Sequence, residues 1–443
     1  MIGNNQINPK YVIEKIIQGT IPEVSINKIL NSQLIRKGNI LTVKNLSGEI
    51  YKLNIEPYDE IIILGVGKAS YKFSDAFQDL FPDKKVSGLI VSKEKVEDNL
   101  IGIKFVKAGH PIPDYQGIKA AKQIISILKR TERNKLIFFL LSGGASSLLP
   151  LPIEGFSLKE KVKITKELIS RGADINEINS FRKYFSKIKG GGLLQFIKTK
   201  CVTLIISDVI GNPISAIGSA PTLLSKPSNH EVKKILVKYN LYNDLSITAK
   251  MKLRKNIWQE FKPECVSENI ILFDNKGFQN IAASVALKNN IQVHFINDFI
   301  CGDVKIAARK LIRKYKLIIN ETKNGKGIHL VLSGGETTVK VHGKGKGGRN
   351  HELSLLMLNF ISQVNKAAFL SLASDGDDGN SLNAGALIDS DSKLLIKKSK
   401  LNPEKFLESN DSFSLFKLTG ELFQFPKGIT NVMDIQFFLF MNN

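Results

Sequence analysis

The chain has 443 residues, 43% hydrophobic and 23% charged, enough to bury a large core and to divide into two or three domains. Its net charge is +22, but lysine is spread along the whole length beside abundant asparagine, and no RRM, KH or zinc-finger spacing accompanies it; the charge points to small anions and not to nucleic acid. Neither a long apolar run nor an N-terminal h-region is present, so no membrane span or signal peptide is expected and a cytoplasmic protein is. Cys201, Cys265 and Cys301 are widely spaced and predict neither a disulfide framework nor a metal site.

In chain order, residues 7–34 carry Val12, Ile13, Ile16 and Ile17 at helical spacing, and 39–54 reads as a hairpin. Strands are expected at 60–64, 86–91, 104–107, 136–141 and 201–206, with helices at 69–80, 115–131, 158–172 and 176–187. Polar glycine turns end these strands: GVGKAS at 65–70, AGHPIPD at 108–114, SGGASS at 142–147 and SDVIGN at 207–212. The alternation predicts a parallel α/β sheet, with its loaded residues just past the strand ends, where such sheets hold ligands. The basic segment 223–265 reads as a connection. A second α/β unit follows, with strands at 269–273, 292–296, 368–372, 384–388 and 434–440, and SDGDDG at 374–379.

The densest stretch is 328–362. An apolar run leads into a tight turn at Ser333, Gly334 and Gly335, ending at Glu336. An alternating strand at 337–342 and a basic glycine tract at 343–348 follow, and Arg349 and Asn350 open an amphipathic helix to about 361. Glycine N–H groups and a helix N-terminus both favour an oxyanion, and Lys344, Lys346 and Arg349 add full charges beside them. The pattern predicts a phosphate or carboxylate site held by Gly334, Gly335, Glu336, Gly347, Gly348, Arg349 and Asn350. Leu141-Ser142-Gly143-Gly144 echoes Leu332-Ser333-Gly334-Gly335, as Ser207-Asp208 echoes Ser374-Asp375, which predicts one anion turn and one acidic loop in each half.

Lys68, among glycines between a strand and a helix, is placed to reach a phosphate, although no Walker A spacing occurs. Gly343-x-Gly345-x-x-Gly348 matches the dinucleotide fingerprint but lacks an acidic residue at the right distance. Asp208, Asp375 and Asp377 sit in turns after strands, where a carboxylate can hold Mg²⁺ or take a hydroxyl proton; a turn aspartate bonding its own backbone is the structural alternative. His110 is either a substrate contact or a turn residue.

Together these segments resemble the glycerate 2-kinase family. The likeness runs through GVGKAS, AGHPIPD, LSGGASSLL at 141–149, INSFRKYFSKIKGGGL at 178–193, SDVIGNPISAIGSAPT at 207–222, SGGETTVKVHGKGKGGRNHEL at 333–353, SDGDDG and NDSFSLF at 410–416, in the family's order. It departs at Leu382, Gly192 and His351, where the family has aspartate, arginine and glutamine.

The resemblance implies ATP-dependent phosphorylation of D-glycerate at its 2-hydroxyl, with Mg²⁺. It implies two α/β domains, a Rossmann-like parallel-sheet domain (1–240) and a smaller mixed-sheet MOFRL domain (328–443), joined by an α/β segment (241–327), with the site in the cleft between them. Lys68, Asp208 and Arg349 are expected to be catalytic, and Asp208 and Asp375 to hold the metal. Ser142, Gly143, Gly144, Ser146, Ser147, Lys189 and Gly190 are expected to bind nucleotide with the 334–350 residues. An NAD(P)H-dependent hydroxypyruvate reductase and a non-catalytic anion-binding protein are the alternatives. Glycerate and ATP are the expected partners, without nucleic acid or membrane, and a homodimer stays open.

Overall fold

The computed structural model describes residues 8–94, 100–255, 257–258 and 262–442. Ile7, where the first expected helix starts, and residues 256 and 259–261 of the 223–265 connection lie outside them. The chain forms two units, Ile29–Phe273 and Met1–Lys28 with Asp274–Asn443.

The first unit opens with an antiparallel meander of Leu34–Lys37 (β1), Ile40–Lys44 (β2) and Ile50–Asn54 (β3), one strand more than the hairpin expected. Six parallel strands follow: Glu60–Val66 (β4), Lys85–Ser92 (β5), Ile103–Lys107 (β6), Lys135–Leu141 (β7), Cys201–Ile206 (β8) and Ser267–Phe273 (β9). Their order is β6-β5-β4-β7-β8-β9. β4 and β8 are buried at every position, as apolar runs covered on both faces must be. On one face, Ile118, Ala121, Ile124 and Leu128 of the helix Tyr115–Arg130 pack on Leu64, Leu89 and Val91. A second cluster joins Ile164 and Leu168, Phe181 and Phe185, and Val232 and Leu236, from the helices Leu158–Ser170, Ile175–Tyr184 and Asn229–Lys238. Asp174 and Glu177 begin the middle helix with a capping box.

The second unit has a mixed sheet of Gln292–Phe295 (β10), Ile300–Asp303 (β11), Gly327–Thr338 (β12), Ala367–Ala373 (β13), Gly385–Asp389 (β14), Leu422–Phe423 (β15) and Asp434–Asn442 (β16). β16 lies between β12 and β13, antiparallel to both, and its Phe438 and Phe440 enter a core with Tyr315, Phe360 and Phe369. The expected architecture, a parallel-sheet unit and a mixed-sheet unit, is the one observed.

The boundaries differ from those expected. The segment 241–327 is not a separate connection: β9 completes the first sheet, while Asn275–Lys288, β10, β11 and Val304–Thr322 belong to the second unit. The N-terminal helix Pro9–Glu23 belongs there too, packing on Asn275–Lys288, β13, β14 and β16. Its buried stripe of Val12, Ile13, Ile16 and Ile17 was legible in sequence, but a stripe says that a helix is covered and not by what. The single helix expected at 7–34 is two. Pro22 removes a backbone donor near the end of the first, and the Ser25 Oγ accepts from the Lys28 N–H to start Ile26–Gln33.

The expected turn at Ser333, Gly334 and Gly335 is a further correction: these residues are mid-strand in β12, opposite Gln436, Ile435 and Asp434 of β16. Gly334 is required there by Asn275, since a Cβ would stand 1.8 Å from the Asn275 Oδ1. The Asn275 Nδ2 donates to the Val432 and Asp434 carbonyls at 2.7 and 3.0 Å, which holds the amide in place. Gly334→Ala is therefore expected to cost about 1–3 kcal/mol by overpacking, read as a lower denaturation midpoint. An unchanged midpoint would mean that Asn275 yields without loss.

Candidate functional site

The strand order of the parallel sheet reverses between β4 and β7, with β5 and β6 on one side and β8 and β9 on the other. Ligands of open α/β sheets bind at such a reversal, outside the carboxyl ends. The loops leaving β4 and β7 meet here. The Lys68 N–H donates to the Gly143 carbonyl at 2.8 Å, and the Ala69 N–H to the Ser142 Oγ at 3.1 Å. Gly144 takes φ +84°, and a Cβ there would meet the His110 ring at 2.8 Å and the Lys68 Cγ at 3.3 Å. Lys68, Gly144 and His110 thus converge, from the ends of three different strands. Asp208, half-buried, follows the neighbouring β8, and the Ser207 N–H donates to the Phe273 carbonyl. Among the described residues, none accepts a hydrogen bond from the N–H of Gly143 or Gly144.

Lys189 is 2% exposed and runs under the 142–147 turn, its Nζ donating to the Ser146 carbonyl at 2.6 Å and the Ser146 Oγ at 3.0 Å. Burial, with Lys161, Arg182 and Lys226 nearby, holds its ammonium well below the ordinary lysine range. Burial and Arg182 likewise pull Lys161 down to about 7. A cavity of about 430 Å³ opens beside the turn, lined by Gly144, Ser146 and Ser147 together with Lys161, Arg182 and Lys189. Gly190 has a different task from the one expected: its N–H donates to the Ser219 carbonyl at 2.8 Å, and the Ser219 Oγ lies 3.0 Å from the Ser146 Oγ. It braces the turn from behind.

The stretch that dominates the sequence is arranged differently. Four amides of its glycine loop face the protein's own acceptors. The Gly343 N–H donates to the Asn410 Oδ1 at 2.9 Å, the Gly345 N–H to the Ser409 carbonyl at 3.0 Å, the Lys346 N–H to the Asp411 Oδ1 at 2.8 Å and the Gly347 N–H to the Asn380 Oδ1 at 2.8 Å. Gly348 packs on the Asp378 carboxylate, which sits at the start of the helix Arg349–Ile361. That buried carboxylate accepts from the N–H groups of Asn350 and His351 at 3.0 and 2.9 Å, and lies 2.5 Å from the His351 Nδ1. The Asn350 Oδ1 accepts from the Ser371 Oγ at 2.6 Å.

Arg349 puts its Nε and Nη2 on the Asp434 carboxylate at 2.5 and 2.9 Å, and its Nη1 on Glu336 at 2.9 Å. Burial works against its charge, but Asp434, Glu336 and Asp378 raise its pKa above the ordinary arginine value. An anion-binding loop is expected here from sequence; in the structure internal carboxylates, amide oxygens and a carbonyl already accept from these donors. Lys344 and Lys346 are exposed.

Asp375 follows β13 as expected and accepts from the Asp377 N–H at 3.4 Å. Lys427 lies 2.7 Å from Asp377. Asp375 and Asp208 belong to different units. Among the described residues, no three His, Cys, Asp or Glu side chains converge as a metal cage. No helix among them is long and apolar enough to cross a membrane.

Sequence reasoning missed Lys161, Arg182 and Asp434. Arg182 stood inside a quoted motif without a role; Lys161 carried no local signal, since a lysine on a helix is ordinarily a solvated one.

Residues 12–254 match the domain of unknown function DUF4147, and residues 329–434 match the MOFRL family. The chain is 31% identical to the glycerate 2-kinase of Pyrococcus horikoshii, over 92% of this chain and 90% of that protein. It is 31% identical to the D-glycerate 2-kinase of Thermotoga maritima, over 87% of this chain and 91% of that one. A crystal structure of glycerate kinase from Thermotoga maritima superposes with a TM-score of 0.82 at 27% identity, covering 98% of this chain and 99% of the other.

Proposed function

As the chain belongs to the glycerate 2-kinase family, a DUF4147 domain followed by a MOFRL domain, we propose that it phosphorylates D-glycerate at the 2-hydroxyl, converting ATP to ADP and forming 2-phosphoglycerate. Phosphoryl transfer needs positioning and charge neutralisation more than covalent help. The observation that carries the reading is the turn at the β4–β7 reversal, where Lys68, two uncommitted glycine N–H groups and a cationic cavity meet. Lys68 and the 142–147 turn neutralise the phosphates, through one ammonium and through backbone N–H groups. Asp208 takes the proton of the 2-hydroxyl as the oxygen attacks phosphorus. Mg²⁺ bound with a nucleotide draws most of its ligands from phosphates and water and needs only one or two protein carboxylates; Asp208, half-buried just after β8, would supply one. When bound it would neutralise phosphate charge.

A hydroxypyruvate reductase would need a dinucleotide site, and the one fingerprint in the sequence is at 343–348. Those amides already bond Asn410, Ser409, Asp411 and Asn380, and Asp378 fills the helix start that a pyrophosphate would use. Purified protein with D-glycerate, ATP and Mg²⁺ is expected to release ADP and 2-phosphoglycerate in equal amounts. Hydroxypyruvate-dependent NADH oxidation without ADP release would reverse the assignment.

A further inference from the structure

The cavity beside the 142–147 turn has an unusual charge balance. Lys161, Lys166, Arg182 and Lys189 line it, and among the described residues no aspartate or glutamate does. Two of these cations are almost fully enclosed, Lys161 at 5% exposure and Lys189 at 2%. Their hydrogen bonding is incomplete. The Lys161 Nζ has one acceptor among the described residues, the Pro150 carbonyl at 3.3 Å. The Arg182 guanidinium, half-buried at the cavity, has none. An enclosed ammonium with a single long hydrogen bond is under-satisfied, and a guanidinium is a planar fork suited to phosphate. Apolar side chains share the lining: Pro111, Ile112, Val162 and Ile169, with Ile112 60% and Ile169 55% exposed. At about 430 Å³ the cavity is far larger than glycerate, which is small and singly charged. Four basic side chains, two of them buried, an apolar part of the lining and this volume together fit a ligand with a polyanionic end and a flat apolar end.

We propose that the nucleotide of the phosphoryl transfer lies in this cavity, its phosphates on Lys161 and Arg182 and its base against Pro111, Ile112, Val162 and Ile169. The assignment rests on the kinase reading and adds to it the unit that holds the nucleotide and the residues that hold it. Lys189 acts from behind the turn as a donor that fixes Ser146. The ligand also completes the electrostatics. Burial and then the Arg182 guanidinium depress the Lys161 ammonium until an anion arrives, and Lys189 and Lys226 lie within electrostatic reach of it. Nucleotide affinity must then fall as pH rises through about 7 and beyond, because the anion binds the protonated amine.

The test is ADP titrated by calorimetry into the full-length protein without glycerate, for wild type, Lys161→Met and Arg182→Gln. Wild type is expected to bind ADP more tightly than inorganic phosphate. Each variant is expected to weaken ADP about ten- to a hundredfold, the loss of one charge-assisted contact. Lys161→Met should keep or raise Tm, since it removes an uncompensated buried charge, and should flatten the decline in affinity between pH 7 and 9. A residue with only a structural role would lose stability and binding together. ADP binding unaffected by both substitutions, absent in wild type, or no tighter than that of inorganic phosphate would overturn the proposal. Turnover with ATP and glycerate on the same preparations separates the two readings. Variant-sensitive ADP binding without turnover refutes the glycerate kinase assignment and leaves the nucleotide site standing.

Discussion

Asp208→Asn is expected to lower kcat about 10²–10⁴-fold while leaving the KM for glycerate nearly unchanged, the signature of a lost general base. Asp208 leaves the end of β8 directly beside β7, whose own loop carries Ser142 and Gly144. Its position is set from both sides. The Ser207 N–H is bonded to the Phe273 carbonyl, and the Ser207 Oγ accepts from the Val209 N–H at 3.2 Å. Asparagine preserves the size and most turn hydrogen bonds of aspartate and removes only charge and basicity. Steady-state rates and a thermal melt on the same preparation therefore separate chemistry from folding. Near-normal kcat with intact folding would return Asp208 to the role of a turn residue.

Arg349→Ala is expected to destabilise the protein by about 3–5 kcal/mol, as breaking a buried ion pair leaves the partner charge enclosed. The partner is Asp434, whose side chain is 2% exposed and receives both arms of the Arg349 fork. Lysine in place of Arg349 offers one point charge to a carboxylate that now accepts two bonds, so Arg349→Lys should also lose stability, by less. The sign of the pH effect follows from the carboxyl. Burial raises the Asp434 carboxyl to about 6 even against the pull of Arg349, and removing that cation raises it further. A protonated Asp434 needs no counter-charge, so the stability gap between wild type and Arg349→Ala should narrow as pH falls from 7 to 5. Urea unfolding at the two pH values measures it. Equal midpoints for wild type and Arg349→Ala at pH 7 would show that the pair contributes nothing.

These two residues illustrate what could be read and what could not. Asp208 was placed correctly after its strand because a buried parallel strand announces itself as an apolar run, and its carboxyl end is where the chain turns polar. The loops at Lys68 and 142–147 were legible for the same reason. Arg349 was legible as the residue that opens a helix, but its partner stands eighty-five positions away on β16. A glycine-rich, lysine-rich loop looks alike whether its amides face a ligand or face Asn410 and Asp411.

The sequence by itself determined the local facts: which segments are strands or helices, the parallel character of the first sheet, the glycine turns at its strand ends, and the family likeness. Local hydrophobic period and turn chemistry suffice for these, since each depends on residues a few positions apart. Tertiary structure alone decided that the helix Pro9–Glu23 joins the second unit, that Ser333, Gly334 and Gly335 run through a strand, and that Lys161, Arg182 and Lys189 gather around one cavity. The physical reason is common to all three. Whether a charge or an amide is available to a ligand depends on whether some distant part of the chain already satisfies it, and that is settled only when the chain has folded.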